Sequence, residues 1–163
     1  MIFSRMKIKP KFFILDLDGV FTDGKFLYSK EGKEYKIFGP DDHDALKALI
    51  SFLEIHVVTA DARGFEISKR RIVDDMGLSL SLVGAKDRAK WIGENFDLKR
   101  TIYMGDGFFD HKVFDKVSYA IAPSDALERT RRWADYITSN RGGERAVTEA
   151  CIHIAKKFFN VSL

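Results

Sequence analysis

Residues 12–24 read FFILDLDGVFTDG, an apolar run closed by two carboxylates, Asp16 and Asp18, with Gly19 directly after them. An apolar run bounded this way reads as a buried strand. Residues two apart on a strand point to the same side, so both carboxylates face one way. Charges at the end of a buried strand are costly without a cation or a chemical task. A second apolar run ends in MGDGFFD, which carries Asp106 and Asp110. If four carboxylates gather, each close pair costs roughly 4 kcal/mol at about 4 Å and an effective dielectric near 20. Burial must then raise some of their pKa values, or a cation must bind. All-oxygen ligands without nearby His or Cys favour Mg²⁺ over zinc. Mg²⁺ beside a free carboxylate suggests phosphoryl transfer through an aspartyl-phosphate, the metal offsetting the repulsion between carboxylate and phosphate. Thr59, and a cation from the Lys86–Lys90 region, could hold the other phosphate oxygens.

These groups need a scaffold that brings separate strand ends to one edge. Short apolar runs at Phe12–Leu15, Ile55–Thr59, Leu80–Val83, Thr101–Met104, Tyr119–Ala122 and Tyr136–Thr138 alternate with helical patterns. Leu46, Leu49, Ile50 and Leu53 share one helical face, with Pro40 placed to start that helix. Phe65, Ile72, Val73 and Met76 share another, ended by Gly77. Ala89, Ile92 and Phe96 follow. Ser124 suits the N-cap of a helix ending near Trp133. A last helix over about Glu144–Phe159 turns Val147, Ala150, Cys151, Ile154 and Phe158 inward. Strand–helix alternation predicts an α/β fold with a parallel sheet and right-handed crossovers. Ligands of such sheets bind at the C-terminal strand ends. Residues 23–38 break the rhythm: aromatic residues flank Ser29-Lys30-Glu31-Gly32, the pattern of a β-hairpin. Following directly on Asp18, it would project over the same edge as a lid or an interface.

The bulk properties narrow the function. The 163 residues suffice for one domain, 1–163, and 45% apolar with 31% charged residues is ordinary for a globule. The net charge of +3 comes from scattered basic residues. The Lys69–Arg71 and Arg129–Arg132 clusters read as solvated helix faces, which argues against a nucleic-acid partner. The first eleven residues lack the apolar stretch of a signal peptide, and no segment is long enough to span a membrane. The single Cys151 excludes an internal disulfide and reads as a small core residue, consistent with a cytoplasmic protein. His43, His56, His111 and His153 have no metal-ligand spacing and read as structural. Asp41, Asp42 and Asp44 read as charges at a helix N-terminus.

The order Asp-x-Asp, Thr, cation, Gly-Asp-x-x-x-Asp resembles the four motifs of the haloacid dehalogenase (HAD) phosphatase superfamily, over nearly the whole chain. DLDGVFTDG, the hairpin in place of a large cap domain, and the late YITSNRGGERAVTEA resemble the 3-deoxy-D-manno-octulosonate 8-phosphate phosphatases; related enzymes act on nonulosonate 9-phosphates. The resemblance implies a Rossmann-like, three-layer HAD fold without a large cap. It also implies a Mg²⁺-dependent phosphatase of a 2-keto-3-deoxy sugar acid, in surface-polysaccharide (lipopolysaccharide) synthesis. Asp16 would be the nucleophile and a Mg²⁺ ligand. Asp18 would ligate the metal through its carbonyl and serve as acid and base through its side chain. Asp106 would be the third ligand, Asp110 would orient the site, and Thr59 with Ala60 would bind phosphate. Capless members form tetramers, in which residues 23–38 and the 140–163 tail and helix of a neighbour help close the site. That points to Gly142, Gly143 and Arg145.

The chain departs from the family pattern in several places. Register from Gly84 puts Arg88 where the family has its phosphate-binding lysine. Lys86 lies two residues earlier, and either could supply the charge. After Thr59 the family has Gly-Arg where this chain has Ala60-Asp61. Asp41 replaces a basic residue, and Gly-Asp-Gly replaces Gly-Asp-Asp. Two other readings compete: a non-catalytic oligomerisation or regulatory domain like that ending the animal CMP-sialate synthetases, and a phospho-accepting receiver. Receivers lack a second Asp two residues after the phosphorylated one, so Asp18 speaks against the latter.

Overall fold

A computed structural model of the chain describes residues 8–163. The expectation for the first eleven residues thus lies partly outside the described residues. Among the described residues there are eight strands: β1 Phe12–Asp16, β2 Thr22–Ser29, β3 Gly32–Phe38, β4 Glu54–Thr59, β5 Ser79–Leu82, β6 Thr101–Met104, β7 Tyr119–Ala122 and β8 Tyr136–Ile137. Six form one parallel sheet in the order β5-β4-β1-β6-β7-β8, with β1 in the middle. Each of the six apolar runs became one of these strands. Consecutive side chains alternate between two apolar layers, as the pleat requires. Phe13, Leu15, Ile102, Met104 and Ile121 pack on one face, and Ile14, Val58, Tyr103 and Ala120 on the other. Such continuous burial on both faces is what a parallel sheet covered by helices demands.

The helices are α1 Asp42–Leu49, α2 Phe65–Lys69, α3 Arg88–Asn95, α4 His111–Phe114, α5 Glu128–Arg131 and α6 Ala146–Ile154. α2 continues through a wider, π-helical stretch, Arg70–Asp75, and α6 does so through Ala155–Phe159. α1 ends at Leu49, so Ile50 falls past the helix and is exposed, contrary to the face predicted for it. Leu53 is still buried. Ser124 is not an N-cap: α5 starts later, at Glu128, and the Ser124 N–H donates to the Asn140 carbonyl. Asp42 does more than charge its own helix. It is buried, and its Oδ1 accepts from the Thr148 N–H at 3.0 Å and its hydroxyl at 2.7 Å, which ties α1 to α6. β2 and β3 form the expected hairpin, an antiparallel pair with two register shifts. Among the described residues no helix is long and apolar enough to cross a membrane.

Candidate active site

β1 pairs in parallel with β4 and β6, setting Asp16 beside Val58 and Leu15 beside Met104. The loops after β1 and β6 therefore leave the sheet side by side. One carboxylate oxygen from each of Asp16, Asp106 and Asp110 lies within 4.8 Å of the others. Gly19 makes the approach possible. It adopts φ +87°, and a Cβ there would overlap the Asp106 carboxylate. Asp110 is clamped from three sides: its Oδ2 accepts from the Gly107 N–H at 2.8 Å, and its Oδ1 from the Tyr103 hydroxyl at 2.7 Å and Arg88 Nη1 at 3.1 Å.

Arg88 opens α3 and is almost fully buried, and the same Nη1 lies 2.8 Å from Asp16 Oδ2. It is the only cation within ion-pair distance of these carboxylates among the described residues. One positive charge against three carboxylates leaves two negative charges uncompensated. Burial, above all, pushes the Asp16 carboxyl up to about 7; Arg88 opposes this and Asp110 adds to it. Burial followed by repulsion from Asp16 and Asp110 pushes Asp106 up to about 8. A hard divalent cation fits this arrangement: the donors are all oxygen, and its charge matches the deficit.

Asp18, on the other side of Leu17, has a different environment. Lys36 of β3 has a fully buried side chain. Its Nζ lies 2.8 Å from Asp18 Oδ1 and 2.9 Å from Asp61 Oδ2, and donates to the Ser68 hydroxyl at 2.8 Å. Lys33 pairs with the same Asp61 oxygen and sits over the Phe26 ring. Burial alone would raise the Asp61 carboxyl, but the two lysines outweigh it and hold it near 2. The Thr59 hydroxyl donates to Asp18 Oδ2 at 3.3 Å and accepts from the Asp61 N–H at 3.1 Å.

These groups surround a cleft of about 360 Å³, within the size range of small-ligand sites. Asp16, Asp18, Arg88, Asp106 and Asp110 line its floor, and Ala60, Asp61, Phe26, Lys33, Phe108 and Phe109 its walls. The hairpin, through Phe26 and Lys33, lines its own chain's cleft. Lys86 is not brought there: it lines a separate surface groove with Lys90 and Lys112, beyond the Phe109 ring. Thr59 is fully buried and does not line the cleft. Gly142 and Gly143 pack on the Gly19–Asp23 backbone of their own chain, and Arg145 pairs with Asp41.

Sequence reasoning missed Lys33, Lys36, Asp61 and Tyr103. In a regular strand residues 33 and 36 face opposite ways. The hairpin's irregular register removes that parity and lets both lysines reach Asp61. Tyr103, amid a buried strand, reads as core; the one available signal is that its hydroxyl needs a partner.

No family model matches the chain. Curated relatives do. It is 30% identical over 148 residues to the 3-deoxy-D-manno-octulosonate 8-phosphate phosphatase of Salmonella typhi, spanning 85% of this chain and 75% of the relative. The Haemophilus influenzae phosphatase of that name is 31% identical over 147 residues, spanning 85% and 79%. Among solved structures, a Moraxella catarrhalis 3-deoxy-D-manno-octulosonate 8-phosphate phosphatase, in complex with magnesium, phosphate and KDO, superposes with a TM-score of 0.82 at 28% identity. That match covers 96% of this chain and 90% of the other. A cobalt-bound Haemophilus influenzae phosphatase gives 0.80 at 26% identity, covering 91% and 88%.

Proposed function

The chain belongs to the 3-deoxy-D-manno-octulosonate 8-phosphate phosphatase family of HAD phosphatases, and from that premise we propose that it hydrolyses the phosphomonoester of a 2-keto-3-deoxy sugar acid with Mg²⁺. The observation that carries the reading is the convergence of Asp16, Asp106 and Asp110 within 4.8 Å in a cleft that the hairpin helps to line. Asp16, Asp106 and the Asp18 carbonyl would hold the ion, with Asp110 fixing the loop beside it. When bound, Mg²⁺ neutralises the carboxylates and the phosphate oxygens so that nucleophile and dianion can approach.

The rest follows from this chain's own groups. Asp16 Oδ1 is held by the Leu17 N–H at 2.8 Å and Oδ2 by Arg88, which aims the carboxylate into the cleft. It attacks phosphorus to give an aspartyl-phosphate, expelling the sugar alkoxide. Asp18 protonates that alkoxide and then takes a proton from the water that hydrolyses the intermediate. Lys36 and the Thr59 hydroxyl hold Asp18 in place. Arg88 offers its guanidinium to the phosphate, a planar fork instead of the family's point-charge lysine. Phe26, Phe108 and Phe109 give the cleft apolar walls.

The apolar outer hairpin, with Leu27, Tyr28, Tyr35 and Ile37 each more than half exposed, supports assembly into a homotetramer. We assign the whole chain to one cytoplasmic HAD domain. A panel of phosphorylated 2-keto-3-deoxy acids assayed with Mg²⁺ tests the reading, with light scattering on the same sample. Turnover of octulosonate 8-phosphate or nonulosonate 9-phosphate well above that of a simple aryl phosphate is expected. No Mg²⁺-stimulated turnover of any phosphate would favour a regulatory domain instead.

A further inference from the structure

Three segments far apart in sequence meet at glycines behind the catalytic loop. Gly142 lies so close to that loop that a Cβ on it would overlap the Gly19 carbonyl and come within 2.9 Å of the Thr22 carbonyl oxygen. A Cβ on Gly39, at the base of the hairpin, would overlap the Gly143 carbonyl. Neither Gly39 nor Gly142 has a positive φ, so backbone conformation does not call for glycine at either place; close approach does. The seam is stitched by backbone hydrogen bonds: the Gly143 N–H donates to the Val20 carbonyl at 3.1 Å, and the Gly39 N–H to the Phe21 carbonyl at 3.3 Å. On its outer side the Gly142 N–H donates to Asp125 Oδ1 at 3.0 Å. On its inner side the Thr22 hydroxyl accepts from the Gly19 and Gly24 N–H groups.

We propose that Gly142 and Gly39 are positioning residues, and that the 142–143 segment braces the Asp18–Asp23 loop against the hairpin base so that the loop presents the Asp18 carbonyl and leaves room for the Asp106 carboxylate. The proposal rests on the Mg²⁺ reading above. On the side of the 142–143 segment the loop meets backbone atoms, with no side chain between to yield. A methyl group at 142 must displace Gly19, which contacts the Asp106 carboxylate on its other face. Side chains in a core could absorb such a push by changing rotamer; a backbone carbonyl cannot.

Calorimetric titration of Mg²⁺ into the substrate-free protein tests this. Gly142→Ala and Gly39→Ala should bind Mg²⁺ about tenfold or more weakly than wild type, the usual effect of disturbing groups that orient metal ligands. Both should keep the wild-type circular dichroism. Gly93→Ala on α3, where a Cβ meets only Leu98 at 3.4 Å, should bind as wild type does. A folded Gly142→Ala within twofold of wild type would overturn the proposal. If both seam variants fail to fold, hydrogen exchange on the wild type decides. Val20 to Thr22 and Gly143 exchanging as one unit supports the brace. A Gly143 amide that exchanges far faster than the loop refutes it. Wild type that binds Mg²⁺ but hydrolyses no phosphate ester would sink the phosphatase reading and leave the seam standing.

Discussion

Replacing Asp106 with Asn should stabilise the metal-free protein while destroying its response to Mg²⁺. The Asp106 carboxyl is pushed from an ordinary 3.8 to about 8, chiefly by burial and then by Asp16 and Asp110. The sign follows from linkage. Between those pH values the folded protein keeps a proton that the unfolded chain has lost, so stability falls as pH climbs from about 4 to about 8. By about pH 6, roughly 2 pH units above the ordinary value, the accumulated loss is about 3 kcal/mol at 1.36 kcal/mol per unit. Coulomb repulsion between two carboxylates with oxygens within 4.8 Å of each other, at a dielectric near 20, gives a similar figure, roughly 3 kcal/mol or more. Asn resembles the neutral acid, so the variant should escape this cost. In a domain of this size about 3 kcal/mol raises the melting temperature by roughly 6–12 °C. Thermal unfolding in EDTA at two pH values, about 6 and about 8, would show the variant above wild type at both, with the gap widening at the higher. Millimolar Mg²⁺ should then lift wild type and leave the variant nearly unmoved. A variant that melts below wild type without metal, or gains as much from Mg²⁺, would refute the carboxylate-repulsion argument.

Arg88→Ala strips the buried countercharge from Asp16 and Asp110 and should cost about 3–5 kcal/mol in urea unfolding. Arg88→Lys should fold and retain turnover, with KM for an aryl phosphate changed more than kcat, because a point charge replaces the fork. Equal loss in both parameters would contradict that assignment. Tyr103→Phe removes a buried hydrogen bond to the charged Asp110 and should lower stability by about 1.5–3 kcal/mol; urea titration reads it directly. Leu27→Lys on the exposed hairpin face should shift light scattering toward a smaller species, and an unchanged mass would remove the hairpin from the assembly.

The parallel sheet was legible because buried strands carry unbroken apolar runs, and those runs end where the chemistry begins. Asp16, Asp18, Asp106 and Asp110 stood out since a carboxylate closing such a run has no structural excuse. Helix limits were less legible. Ile50 fits a helical face on paper, but the chain leaves the helix at Leu49. The choice between Arg88 and Lys86 was not open to sequence reasoning. Residues two apart at the start of a helix point in different directions, and only the docking of α3 against β1 selects which one meets Asp16. Lys33 and Lys36 were hidden by the hairpin's irregular register. The seam at Gly39 and Gly142 was hidden more deeply, because contacts between backbones leave no pattern of side chains to read.

The central claim is that Asp16 takes up the phosphoryl group. Asp18→Asn should form the covalent intermediate but hydrolyse it slowly, lacking the group that activates water. Mass spectrometry of that variant after mixing with an aryl phosphate, whose leaving group departs without a proton from residue 18, should find one added phosphoryl group on the peptide carrying Asp16, with Mg²⁺ and not with EDTA. No added mass, or a label that persists after Asp16→Asn, would contradict the account.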